Sequence, residues 1–122
     1  MGDRRACRSY TRGALVLASS LRTHGTRAKL VVMTAVKAGT EFPPECLRAL
    51  QTMYDEVVPV PVLEFRHVEK NYRRFKKMYE WMSSSFTKLG MLNFVQYTKI
   101  AFLDADMLAV APGADRVFDY HT

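Results

Sequence analysis

Asp104-Ala105-Asp106, two aspartates with one small residue between them, has the residue types and spacing that suit metal chemistry. The pair follows directly on the apolar run Ile100–Leu103, which has the character of a strand covered on both faces. In an extended segment, side chains at positions i and i+2 point to the same side, so we expect both carboxylates to reach one point. A hard divalent cation bound through oxygen atoms would remove their mutual repulsion.

An acidic turn at the end of a strand is the simpler interpretation of the same tripeptide, because aspartate is common in turns. The flanking sequence favours the metal site. An apolar strand leads into the pair, and Met107–Val110 continue the apolar character after it. In an open α/β sheet, ligands bind beyond the carboxyl ends of the strands, which is where this prediction places Asp104 and Asp106.

The composition predicts one folded domain over residues 1–122. Hydrophobic residues make up 48% of the chain, which is enough for a core and argues against global disorder. No apolar run approaches the roughly 20 residues needed to span a bilayer, and residues 1–10 lack the apolar segment of a signal peptide. A cytoplasmic protein is therefore predicted. Cys7 and Cys46 form no CxxC motif and are expected to be reduced, buried or incidental thiols.

The elements that must position the aspartates follow an α-β-α-β order, which predicts parallel strands joined by crossover helices. Prolines at positions 59 and 61 place the second strand at an edge or make it short. A glycine at position 25 is a natural end for the first helix. The predicted elements are a helix at Tyr10–Thr23, a strand at Lys29–Met33, a helix from Pro43-Pro44 to about Tyr54, and a strand at Glu56–Val60.

Two further helices are predicted between this unit and the aspartates. One carries Leu89, Leu92 and Val95 on a single face. The other, Lys70–Met82, has a buried stripe that includes its aromatic residues and Met78, and it carries the densest basic group of a chain with net charge +6. A solvated basic face is the simpler interpretation of that group. The sharper interpretation is that one or two of these cations reach the anionic ligand held by the aspartates.

Three segments of the sequence carry a resemblance to a known family. YTRGALVLASSLRTHGTRAKLVVMT, which starts at Tyr10, is similar to the opening helix, loop and strand of glycosyltransferase family 8, the glycogenin-like enzymes. FTKLGMLNFVQYTKIAFLDADMLAV, which ends at Val110, is similar to its nucleotide-sugar segment. The intervening KKMYEWMSSSFTK resembles the small glycogenin-like proteins of baculoviruses. The likeness extends from about Tyr10 to Tyr120.

The resemblance implies a Rossmann-like nucleotide-diphospho-sugar transferase fold of the GT-A type, α/β with a mostly parallel sheet and flanking helices. It also implies a UDP-sugar donor, with Mn²⁺ or Mg²⁺ bridging Asp104 and Asp106 to the diphosphate. Carried over by position, Tyr10 matches the family's tyrosine near the uracil. Lys88 matches its catalytic lysine near the phosphates and sugar, and Ala105 matches the residue whose backbone approaches the ribose.

One departure from the family concerns its first strand, in which a threonine and an asparagine hold the uracil. Ala6 and Cys7 occupy those positions here. We therefore expect an incomplete fold, the truncated donor-binding portion of the family's domain. The predicted activity is metal-dependent transfer of a hexose from a UDP-sugar, with retention, to an unknown sugar, protein or lipid acceptor.

Two alternatives remain open from the sequence. The first is a catalytically inactive remnant, or a nucleotide-binding module without transferase activity. The second and weaker one is a basic adaptor that binds nucleic acid through Lys70–Lys77, although aromatic residues in a buried stripe would not form a stacking platform. A viral member of the family would act in the host cell.

Overall fold

The computed structural model describes residues 7–36, 39–62, 76–78, 85 and 87–120 of the chain. The elements within these residues are a π-helical turn (Cys7–Thr11), α1 (Arg12–Thr23), β1 (Val31–Val36), α2 (Pro44–Met53), β2 (Glu56–Pro61) and two 3₁₀ helices (Lys88–Asn93 and Ala114–Asp119). The α-β-α-β order predicted from the sequence is confirmed, with β1 displaced by a few residues toward the C-terminus. At Cys7 the chain is helical, so the described residues contain no strand ahead of α1.

β1 and β2 pair in parallel, with Val31 opposite Glu56 and Val36 opposite Pro61. The crossover helix α2 makes this possible, because two parallel strands cannot be joined by a tight turn. Among the described residues the sheet has these two strands, so each has a free edge. Such an edge tolerates Pro59, which has no backbone N–H to donate and lies opposite Thr34. Within the described residues, the predicted edge position of the second strand is confirmed.

α1 buries the face predicted from its apolar spacing and ends as predicted at Gly25. Its buried residues are Ala14, Leu17, Ala18 and Leu21. Gly25 has a φ of 76°, a conformation that glycine adopts without a Cβ penalty. The Gly25 amide donates to the Arg22 carbonyl at 3.0 Å, and the Thr26 amide donates to the Leu21 carbonyl at 3.1 Å. This Schellman pattern satisfies carbonyls that the helix end leaves unpaired.

The core joins α1 to the segment that follows the two aspartates. Leu17, Ala18, Leu21 and Leu30 form the buried cluster, with Met53, Tyr54 and Ala109 packed against it. The Tyr54 hydroxyl donates to the Ala14 carbonyl at 2.6 Å, which links the end of α2 to α1, and burial raises the pKa of this phenol. The presence of Ala109 against this cluster ties the far part of the chain to α1.

Two predicted elements near the aspartates are wrong. Ile100–Leu103 is not a strand, and its Ile100 and Leu103 are 45% and 40% exposed rather than covered. An apolar run becomes a strand only where a neighbour accepts its hydrogen bonds, and no described segment does so. The helix predicted around Leu92 is the short 3₁₀ helix Lys88–Asn93, with Leu92 68% exposed. A glycine within that helix, Gly90, disfavours a longer α-helix there.

The basic helix predicted over Lys70–Met82 lies mostly outside the described residues. Lys76–Met78 are helical and exposed, and Met78, which was expected in the buried stripe, is 48% exposed. The expectation of reduced thiols is also wrong for Cys46, which is buried and disulfide-bonded. None of the helices within the described ranges is long and apolar enough to cross a membrane.

Asp55 stabilises the start of β2. Its carboxylate accepts a hydrogen bond from the Leu30 amide at 2.7 Å and lies 3.4 Å from the Arg22 guanidinium. The Leu30 amide first, and then Arg22, hold the pKa of this carboxyl below its usual value. A depressed folded pKa adds stability above the unfolded pKa of about 3.9, and that stability is lost as the pH falls through the folded value.

Asp55→Ala is therefore expected to lower the free energy of unfolding by about 1 kcal/mol at pH 7. This value lies below the roughly 1.5–3 kcal/mol of a hydrogen bond to a charged group, because the carboxylate is 40% exposed to solvent. Urea unfolding of both chains from pH 7 to pH 2.5 measures the difference, which should begin to shrink below about pH 5 and vanish below the folded pKa. A difference independent of pH would contradict this role.

Candidate functional site

The two aspartates lie in a turn rather than in an extended segment. The Met107 amide donates to the Asp104 carbonyl at 3.2 Å, and Ala105 and Asp106 are the central residues of the turn. The simpler interpretation of the tripeptide, an acidic turn, is thus correct for the backbone. Side chains two positions apart point to the same side only in an extended chain, so the turn gives Asp104 and Asp106 no common direction on that ground. Both aspartates are exposed.

One cleft nevertheless borders every site residue predicted from the sequence. Those residues are Tyr10, Lys88, Asp104, Ala105 and Asp106. The cleft has a volume of about 1690 Å³ and runs along β1 from Leu30 to Ala35. Ligand pockets usually measure roughly 300–1,000 Å³, so one small ligand would occupy only part of this space. A lining of this extent does not by itself bring the five side chains together, and it leaves their individual roles open.

The chain reaches the turn by running alongside the sheet. Tyr97 lies near the beginning of the strands, where its hydroxyl donates to Glu56 Oε2 at 2.7 Å. Lys29 Nζ lies 3.5 Å from the same carboxylate oxygen and 5.5 Å from the centroid of the Tyr97 ring. The Tyr97 hydroxyl lowers the pKa of the Glu56 carboxyl, and the same tyrosine raises the pKa of Lys29. This cluster anchors the start of the apolar run that leads to Asp104.

The other end of that run meets the beginning of α1. A Cβ placed on Gly13 would lie 2.6 Å from the Ala105 carbonyl oxygen, so the turn and the helix are in backbone contact. A helix that leads into a strand by a short connection runs antiparallel to it, so α1 begins at the edge where β1 ends. The turn therefore lies at the carboxyl edge of the sheet, where ligands bind in open α/β folds.

Lys88 forms an ion pair with the first aspartate. Its Nζ lies 2.8 Å from Asp104 Oδ1 and 5.4 Å from the centroid of the Phe102 ring. The two side chains are 47% and 53% exposed, and an exposed pair of this kind contributes only about 0–1 kcal/mol. A divalent cation or an anionic ligand can therefore displace one partner at little energetic cost.

The acids fit a metal ion that is shared with a ligand. Among the residues that the structure describes, no group of three or more His, Cys, Asp or Glu side chains is placed to hold a metal. A closed protein cage is therefore not formed by them. Mg²⁺ and similar hard cations are commonly held by one or two carboxylates together with substrate phosphates and water. Asp104 and Asp106, exposed oxygen donors on one cleft, satisfy that requirement.

Gly13 is the functional candidate that the sequence reading missed. Its position in the first turn of α1 is unfavourable for helix stability, because glycine costs roughly 1 kcal/mol relative to alanine in a helix. A glycine at such a position is compatible with a close backbone approach, and this was the available signal. The partner of the approach, Ala105, could not have been inferred from the local sequence.

Comparison with known proteins shows that the chain is similar in sequence to several glycogenins. It is 36% identical over 112 residues to glycogenin of Neurospora crassa, covering 91% of this chain and 15% of the relative. It is 36% identical over 111 residues to human glycogenin-1, covering 91% and 29%, and 36% identical over 110 residues to glycogenin-1 of Caenorhabditis elegans, covering 90% and 24%. No protein-family model matches the sequence.

The similarity extends over nearly all of this chain, which spans less than a third of the length of these three relatives. The predicted resemblance to glycogenin-like proteins is confirmed at this level. Assignment to family 8 and the likeness to baculovirus proteins stay predictions.

Proposed function

We propose that the chain is the nucleotide-sugar-binding portion of a glycogenin-like glycosyltransferase. The observation that carries the proposal is the turn of Asp104 and Asp106, placed with Lys88 on one cleft beside the start of α1. The similarity to glycogenins over about nine-tenths of the chain supports it. The reaction is transfer of a hexose from a UDP-sugar to a sugar, protein or lipid acceptor, with retention at the anomeric carbon.

In this proposal, Asp104 and Asp106 hold Mn²⁺ or Mg²⁺ together with the donor's diphosphate. The bound cation stabilises negative charge on the leaving diphosphate without requiring a proton transfer. Lys88 supplies the second positive charge. Its ammonium group pairs with Asp104 in the chain without ligands. With a cation held by that carboxylate, the ammonium group would be free to contact a phosphate oxygen and would act there as a point charge near the transferred sugar.

Tyr10 and Ala105 bind the nucleoside. The Tyr10 ring is 79% exposed at the border of the cleft, one helical turn ahead of Gly13, where it is available to stack on uracil. The Ala105 carbonyl faces Gly13, which leaves its amide as the backbone group that approaches the ribose. In the same proposal, the complete fold is of the GT-A type. The enzyme is a metal-dependent transferase of family 8 that acts in the cytoplasm.

Calorimetry of UDP binding with and without Mn²⁺ tests the proposal. We expect millimolar or tighter binding in the presence of Mn²⁺, which is at least about 4 kcal/mol of binding free energy, and no binding after EDTA is added. Incubation with UDP-glucose and Mn²⁺, followed by NMR of the released sugar, then distinguishes an active transferase from a nucleotide-binding module without transferase activity. Release of the α-anomer supports a retaining transferase, whereas UDP binding without turnover supports a nucleotide-binding module. Absence of heat at millimolar UDP and Mn²⁺ would contradict both.

Tyr10→Ala is expected to weaken Mn²⁺-dependent UDP binding about 10-fold and to leave pyrophosphate binding unchanged. Loss of base stacking on an aromatic ring costs roughly 1–3 kcal/mol, and pyrophosphate has no base. Tyr10→Phe should retain the affinity of the unmodified chain. Tyr120, 72% exposed and outside the cleft, supplies the control substitution Tyr120→Ala. Equal weakening of UDP and pyrophosphate binding would show that Tyr10 does not contact the base.

A further inference from the structure

Helix α1 touches the segment that carries the aspartates at two points. Near its beginning, Gly13 lies so close to the Ala105 carbonyl that a Cβ there would come within 2.6 Å of the oxygen. Two turns later, the Ser20 hydroxyl accepts the Ala109 amide at 3.0 Å. Ala105 and Ala109 flank Asp106 on either side, so both ends of this short segment rest on one helix.

Both contacts are made by groups that cannot be exchanged freely. At 2.6 Å from a backbone oxygen, an added methyl group forces the backbone itself to shift, because no flexible side chain is present to move away. Ser20 Oγ also donates to the Leu17 carbonyl at 2.8 Å, which orients its lone pairs toward Ala109. Leu17 belongs to the buried cluster against which Ala109 packs, so this second contact is attached to the core.

We propose that Gly13 is a positioning residue: its missing side chain sets the depth at which the Asp104–Asp106 turn sits against α1, and Ser20 sets the register of the segment after it. The purpose of this positioning, which is to aim both carboxylates at a cation and diphosphate, rests on the proposed function. The contact itself does not. The two aspartates are exposed in the turn, and misplacement of ligands by about 1 Å is enough to weaken a site severely.

The first test uses no ligand. Amide chemical shifts of ¹⁵N-labelled Gly13→Ala are expected to differ from the unmodified chain at Ala105, Asp106 and Met107, and to match it along β1 and β2. Gly90→Ala is the matched control, since its Cβ would meet the Val60 side chain at an ordinary 3.4 Å. Unchanged shifts across the turn in Gly13→Ala would overturn the proposal. So would changes spread evenly over the whole chain, because they would mean that the fold, and not the turn, responds.

The second test measures affinity in the same variants. Gly13→Ala is expected to weaken Mn²⁺-dependent UDP binding about 10- to 100-fold, and Ser20→Ala about threefold. Gly25→Ala serves as a stability control, because its φ of 76° disfavours a side chain although nothing lies within 4 Å of the added Cβ. It should lower the Tm by about 4 °C and keep the affinity. The clash at position 13 also costs stability, which the better helix propensity of alanine offsets only in part. Positioning is therefore identified when Gly13→Ala loses affinity and Gly25→Ala, with a comparable fall in Tm, does not.

The two tests distinguish a failure of the positioning role from a failure of the proposed function. If the unmodified chain binds no UDP, the proposed function fails, and the amide shifts still decide whether Gly13 sets the position of the turn. If the unmodified chain binds UDP and Gly13→Ala binds it equally well, the positioning role is wrong and the proposed function stands.

Discussion

Asp104→Asn and Asp106→Asn are each expected to weaken Mn²⁺-dependent UDP binding about 100-fold or more, a loss of about 2.8 kcal/mol. Each substitution removes one of the two carboxylates that the described residues offer to the cation at this turn, and no third acidic ligand among those residues compensates for it. An amide oxygen carries no charge, so it binds a hard dication far more weakly than a carboxylate of the same shape. Titration calorimetry with UDP at fixed Mn²⁺ measures the change.

Asp119→Asn is the matched control for these variants. Asp119 is exposed and lies outside the cleft, so its substitution makes the same change in net charge without touching the site. The control should bind UDP with the affinity of the unmodified chain. Binding that survives in both Asp104→Asn and Asp106→Asn would remove the basis for a metal site at this turn, and a uniform loss in all three would show a general charge effect.

Lys88→Ala is expected to change two affinities in opposite directions. Mn²⁺ alone should bind up to about fivefold more tightly, because the ammonium group that lies 2.8 Å from Asp104 no longer competes for the carboxylate. UDP in the presence of Mn²⁺ should bind about 10-fold more weakly, because one charge-assisted contact with a phosphate is lost. Mn²⁺ binding is followed by electron paramagnetic resonance of the free ion, and UDP binding by calorimetry.

Lys77→Ala provides the comparison for this variant, since Lys77 is exposed on a helical segment outside the cleft. Both affinities should remain within about twofold of the unmodified chain, as expected for a solvated surface charge. If Lys88→Ala weakens Mn²⁺ binding as well, Lys88 supports the conformation of Asp104 and does not compete with the cation. If UDP affinity is unchanged, the role carried over to Lys88 from the family is wrong.

The ion pair of Lys88 with Asp104 also reduces the negative charge of the turn in the chain without ligands. Two nearby carboxylates repel each other, and a cation or ammonium partner relieves the repulsion. Lys88 supplies that partner to Asp104 in the chain without ligands. The cost of exchanging Lys88 for a metal is small, because a half-exposed pair gains little over hydrated separate charges. A site built in this way is expected to bind the cation together with the diphosphate better than it binds the cation alone.

Local sequence was sufficient for the features that depend on neighbours in the chain. The buried face of α1 follows from apolar residues at helical spacing. Its end follows from Gly25, because glycine adopts the required positive φ without a Cβ penalty. Pro44 opens α2 because a proline suits the first position of a helix. The parallel pairing of β1 and β2 follows from the crossover helix between them.

Predictions from the hydrophobic pattern were wrong for segments whose conformation depends on a neighbouring segment. Ile100–Leu103 has the composition of a buried strand, but a strand exists only through hydrogen bonds to another strand, and composition does not supply one. The conformation of the Asp104–Met107 turn likewise depends on what lies against it. The sequence Asp104-Ala105-Asp106 is compatible with an extended segment and with a turn. Only in the extended segment would the two carboxylates point to the same side.

The residues available for chemistry could be read from the sequence: two acids after an apolar run, a lysine and a tyrosine upstream, and an α-β-α-β framework to carry them. The ion pair of Lys88 with Asp104, the contact of Gly13 with Ala105 and the hydrogen bond between Ala109 and Ser20 became visible only in the folded chain. Separation along the chain explains this difference. Ser20 and Ala109 are 89 residues apart, so no local preference encodes their contact, and it forms only when α1 and the returning chain bury a common core.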